Sequence, residues 1–107
     1  MKTTYPNLYE FFAGYFHQDW LEESPTATGI VERYLDEFPK TEVGGASREL
    51  RDLLINIPSE DGLAIIVNQL GSYYNPQADG LTYREWLLQV CTLLESHVGT
   101  NSTGKTI

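Results

Sequence analysis

The sequence predicts an all-α fold, a single-domain bundle of about five helices joined by short loops. Apolar residues recur at helical spacing, i, i+3, i+4 and i+7, in separate stretches along the chain. No apolar/polar alternation runs longer than three residues, so the signature of strands is missing. Clusters containing Pro, Gly and Ser fall between the stretches and read as turns. A chain of 107 residues has room for one domain of ordinary size, without internal repeats.

The first helix is expected over Pro6–Phe16. Leu8, Phe11, Phe12, Tyr15 and Phe16 share one face, and Pro6 suits a first turn, where its missing N–H is not needed. The stretch HQDWLEESPT reads as a loop. Pro25, flanked by Ser24 and Thr26, marks the entry to a second helix over Pro25–Phe38, and Pro39 stops it. Its face is Ala27, Ile30, Val31, Tyr34, Leu35 and Phe38, with Gly29 inside at a cost of about 1 kcal/mol relative to Ala.

The third helix is expected over Thr41–Asn56. Val43, Ala46, Leu50, Leu53 and Leu54 form its stripe, and Gly44–Gly45 weakens its first turn. Ser59 reads as the N-cap of a fourth helix, with Glu60 and Asp61 favourable at the positive end. Leu63, Ile66, Val67 and Leu70 follow, and Gly71 fits the left-handed position after the helix. Beyond the loop SYYNPQADGL, Thr82 and Glu85 form a capping box that opens a fifth helix over Thr82–His97. Tyr83, Trp86, Leu87, Val90 and Leu94 line it. Leu88, Cys91 and Leu93 widen its apolar face past half the circumference, which marks it as the central helix. The helical domain is placed at residues 1–97. Residues 98–107, poor in apolar side chains and rich in Gly, Ser and Thr, are expected to form a flexible tail.

Fifteen acids against seven bases give a net charge of -8. That disfavours direct binding to nucleic acid or to an anionic membrane, both of which require clustered Lys and Arg. No apolar run is long enough to span a bilayer, and MKTTYPNLYEFF lacks the apolar core of a secretory signal. The single cysteine, Cys91, rules out an intrachain disulfide and suits a reducing, cytoplasmic location. Most of the charge lies early. Residues 7–37 hold Glu10, Asp19, Glu22, Glu23, Glu32, Asp36 and Glu37 against Arg33 alone. Glu32 and Asp36 are like charges at i, i+4, and Asp36 and Glu37 sit at the negative end of their helix dipole. Local stability argues against these acids. A partner with positive charge accounts for them, and a solvated face is the plainer explanation.

Motifs for nucleotide binding, serine hydrolysis and zinc proteolysis are absent, and no cofactor or metal is expected. The best chemical candidate is His17 with Asp19, a pair able to share a proton or to begin a metal site. Only two histidines exist, and zinc needs three or four convergent ligands. A structural role fits better, with the imidazole capping the first helix and Trp20 plugging the bundle. Tyr73 and Tyr74, with Asp79 close by, are either interface anchors or a lid on the core. Cys91 reads as a small buried hydrophobe.

Two segments, YPNLYEFFAGYFHQDW near the start and NPQADGLTYREWLLQV near the end, together resemble a family of small bacterial immunity proteins of contact-dependent growth inhibition systems. The resemblance covers about residues 5 to 94. The chain departs from the common pattern at Thr26–Ala27–Thr28–Gly29 and at Gly44–Gly45. The resemblance implies a cytoplasmic protein without catalysis of its own, and a monomer is expected over an oligomer. Its partner would be the C-terminal toxin domain delivered by a neighbouring cell, many such toxins being nucleases with basic clefts. On that basis His17, Asp19, Trp20, Tyr83 and Trp86 are assigned to the shared scaffold. Glu22, Glu23, Glu32, Asp36 and Glu37, with Tyr73, Tyr74 and Asp79, are assigned to toxin binding. The alternative is a small metal-binding protein or enzyme using His17 and Asp19.

Overall fold

In the computed structural model, which describes residues 4–105 and side chains to Gly99, the apolar stripes become six α-helices and one 3-10 turn. These are α1 (Pro6–Tyr15), α2 (Trp20–Glu23), α3 (Ala27–Glu37), α4 (Lys40–Asn56), α5 (Glu60–Gln69), the 3-10 turn Pro76–Asp79 and α6 (Tyr83–Lys105). No strand occurs among the described residues. The chain is all-α, with a radius of gyration of 13.5 Å.

Several boundaries differ from the sequence reading, each for a local reason. The expected loop HQDWLEESPT contains the one-turn helix α2. Trp20 N–H donates to the His17 carbonyl at 3.0 Å and Glu22 N–H to that of Asp19 at 2.9 Å. Four residues are too few to show a periodic stripe. The next helix starts at Ala27, not Pro25, because Thr26 Oγ1 accepts the Gly29 N–H at 3.0 Å and so takes the N-cap. The 3-10 turn is set by Asn75 Oδ1, which accepts the Gln77 N–H at 3.0 Å, and closed by Gly80 at φ 79°. The last helix continues past His97 to Lys105. Side chains from residue 100 onward, and with them most of the expected tail, lie outside the described residues.

Two glycines allow helices to meet. A Cβ at Gly45, inside α4, would stand 2.6 Å from Asn7 Nδ2, so the residue expected to weaken α4 brings α1 close to it. Gly71, after α5, has φ 103°, and a Cβ there would lie 2.7 Å from that of Ala13.

Helix α6 packs on α3, α4, α5 and the 3-10 turn, and α4 also carries α1. The core between them is aromatic. Phe16 and Trp86 meet edge to face with ring centroids 5.2 Å apart, and Tyr74 lies 4.7 Å from Trp86 and 5.2 Å from Trp20. Phe11 continues the cluster to Tyr34 at 4.7 Å. Such tilted and edge-on pairs place positive ring edges on negative faces and contribute beyond the area they bury.

Candidate functional site

The residues of the late motif, Asp79 to Trp86, form a joint. Asp79 Oδ2 accepts the Tyr74 hydroxyl at 2.6 Å. Thr82 and Glu85 make the reciprocal capping box, Glu85 N–H to Thr82 Oγ1 and Thr82 N–H to Glu85 Oε1, both at 3.0 Å. Tyr83 and Trp86 are buried. Arg84 Nη2 lies 3.2–3.3 Å from the carbonyls of Leu54, Ile57 and Pro58, and so caps the C-terminal end of α4. Glu60, in the first turn of α5, accepts the N–H groups of Tyr83 and Arg84 at the start of α6.

A second long-range cap starts α1, which has no local side-chain cap. Glu49 Oε1 accepts the Leu8 N–H at 3.0 Å, and its Oε2 accepts from Asn7 Nδ2 at 2.8 Å. These carboxylates satisfy backbone donors that every helix start leaves open. Sequence reasoning found Glu60 only as a helper of its own helix and missed Glu49, because neither cap is local in sequence.

The early motif closes the α1–α2 corner. Phe16 is buried, and its carbonyl accepts the Tyr73 N–H at 2.7 Å. His17 Nδ1 accepts the Asp19 N–H at 3.1 Å, while Nε2 lies 2.8 Å from Glu23 Oε2. With Nδ1 accepting, the neutral ring carries its proton on Nε2 and donates it to Glu23. The imidazole therefore bonds the turn and α2 rather than the last carbonyls of α1. Both ring nitrogens are engaged. No group of three or more His, Cys, Asp or Glu side chains that could hold a metal ion occurs among the described residues, and the Glu23 carboxylate beside His17 makes no such group with Asp19.

The eight residues assigned to toxin binding separate into two sets. Glu23 bonds His17, and Glu37 accepts the Tyr15 hydroxyl. Arg33 stands 3.8 Å from each of these two carboxylates, a loose pairing on an exposed face. Tyr74 is only 4% exposed, its ring inside the aromatic cluster and its hydroxyl on Asp79. It is a lid on the core, with no ring face left for a partner. Glu22, Glu32 and Asp36 are exposed and make no side-chain hydrogen bond or ion pair among the described residues. Tyr73 is 64% exposed.

The phenols with partners inside the fold follow the same division. Desolvation, then the Asp79 hydrogen bond, holds the Tyr74 phenol well above its ordinary value of 10.0. Tyr15 is raised by desolvation and by Glu37, and Tyr34 by desolvation and the carboxylates of Glu10 and Glu42. Burial also pushes the Cys91 thiol up. Its Sγ lies 3.4 Å from Glu95.

Fold and surface together define a small acidic all-α domain whose two motifs form helix joints and whose exposed acids include Glu22, Glu32 and Asp36 on α2 and α3. No described helix is long and apolar enough to cross a membrane. The family model of the CdiI immunity protein matches residues 4–94, and the chain belongs to that family, the immunity proteins of contact-dependent growth inhibition. No curated protein and no solved structure matches it.

Proposed function

We propose that this protein neutralises its cognate contact-dependent toxin by binding the toxin's C-terminal domain, without catalysis or a cofactor of its own, and that the toxin surface it meets is basic, as a nuclease cleft is. Family membership supports the immunity role. The observation that carries the charge reading is the division of the early acids. Glu23 bonds His17 and Glu37 accepts the Tyr15 hydroxyl, whereas Glu22, Glu32 and Asp36 have no counter-charge among the described residues and Glu32 and Asp36, on α3, repel one another. A basic partner supplies the missing charge. Complementary charge mainly accelerates association and weakens with salt.

The test is a stopped-flow binding measurement at two salt concentrations. It uses the inactivated C-terminal domain of the cognate toxin and the triple variant Glu22→Gln, Glu32→Gln, Asp36→Asn. Glu23 and Glu37 stay, since removing them would free Arg33, His17 and Tyr15 as well. Slower association with a flatter salt dependence is expected. Equal rates and equal salt slopes would reduce the three acids to a solvated face.

A further inference from the structure

Two large apolar side chains beside the α1–α2 corner are not used by the core. Leu21, in α2, is 63% exposed, and Tyr73, after α5, is 64% exposed. Their neighbours in sequence point the other way. Trp20 and Tyr74 are buried and pack edge to face at 5.2 Å. The backbone is tied at the same corner by the 2.7 Å bond from Tyr73 N–H to the Phe16 carbonyl. Leu21 and Tyr73 thus stand on the outside of one joint whose inside is a packed ring pair. Isolated exposed apolar residues are ordinary. Here an aromatic and an aliphatic side chain share one corner, on backbone fixed by buried aromatics. A partner meeting them has little ordering entropy to overcome.

Asp19 and Glu22 stand at the rim, exposed and without side-chain hydrogen bonds or ion pairs among the described residues. An apolar centre, enriched in Tyr and ringed by charge, is the anatomy of a binding hot spot. The same charges choose the occupant. A second copy of this chain, at net charge -8, would bring its own acidic corner against this one. A basic protein surface meets the rim with opposite charge.

Resting on the immunity reading above, we infer that Tyr73 with Leu21 is the apolar anchor of the toxin interface, and that Asp19 and Glu22 form its charged rim. The acids then govern the encounter, and the anchor governs how long the complex lasts. Loss of a hot-spot side chain appears in the dissociation rate, without changing the salt slope.

The experiment measures association and dissociation of the inactivated toxin domain with wild type, Tyr73→Ala, Leu21→Ser and the control Ile55→Ser. Ile55 is an equally exposed aliphatic residue on α4. Circular dichroism checks that each variant keeps its helices. Tyr73→Ala is expected to dissociate about thirtyfold faster and Leu21→Ser about tenfold faster. Both should keep the wild-type salt slope, and Ile55→Ser the wild-type kinetics. If the toxin domain binds wild type and both corner variants dissociate at its rate, the anchor is overturned while the immunity reading stands. If wild type itself fails to bind, both fall. Sedimentation of the protein alone adds one further outcome. A wild-type dimer that Tyr73→Ala converts to monomer would assign the corner to a second copy and overturn the proposal.

Discussion

Where α4, α5 and α6 meet, Glu60 accepts two backbone N–H groups and Arg84 covers three carbonyls, all at helix ends that packing has drawn together. Across α2 and α3, by contrast, Glu22, Glu32 and Asp36 cover nothing among the described residues, and Arg33 holds its two carboxylates only at 3.8 Å. A charge that closes an orphaned backbone group is worth more than one loosely paired in water. The first region therefore uses its charge to hold the fold. The second leaves its charge available to a partner. Both motif segments contribute to contacts of the first kind, through Asn7 and Leu8 in one and Tyr83 and Arg84 in the other.

Four measurements break or sharpen that contrast. The largest effect is expected from Trp86→Ala, where the rings of Phe12, Phe16 and Tyr74 all lie within 6 Å of the lost side chain. About 3–5 kcal/mol of stability should disappear, read from the shift of a denaturant midpoint. An unchanged midpoint would move Trp86 from the scaffold to the surface.

Alkali should act next, because three phenols respond together. Tyr15, Tyr34 and Tyr74 have folded-state values raised above the ordinary 10.0. The unfolded chain releases their protons first, so the stabilisation is complete below about pH 10 and is lost as pH climbs beyond it. Absorbance titration of tyrosinate, followed together with helical ellipticity, should show these three phenols ionising only as the helices melt. Ionisation of all seven tyrosines near pH 10 with the helices intact would contradict the desolvation of these three.

Glu60→Gln keeps the shape but weakens the charge-assisted cap on α6. A loss of about 1 kcal/mol is expected, by denaturant melting. The smallest effect belongs to the free face. Glu32→Gln with Asp36→Asn removes one i, i+4 repulsion and should leave stability unchanged or raise it by about 0.2–0.5 kcal/mol. If this pair destabilised the protein as much as Glu60→Gln does, the contrast between the two regions would fail.

The helical stripes, the Ser59 cap, the Thr82–Glu85 box and the left-handed Gly71 were all legible in the sequence. Each depends on residues within one or two turns of one another, where periodicity and capping chemistry act directly. The one-turn helix α2 was not, because its only core residue, Trp20, has no neighbouring turn to form a stripe with. The duties of the charged side chains were hidden as well. Glu22 and Glu23 are adjacent acids, yet only Glu23 meets His17 and Arg33. Tyr73 and Tyr74 are adjacent and chemically identical, yet one ring is in the core and the other in water. Local chemistry sets which segments are helices and which faces are apolar. Which acid caps a distant helix, and which tyrosine stays outside, depends on where packing brings residues far apart in the chain, such as Glu49 to Leu8 and Glu60 to Tyr83.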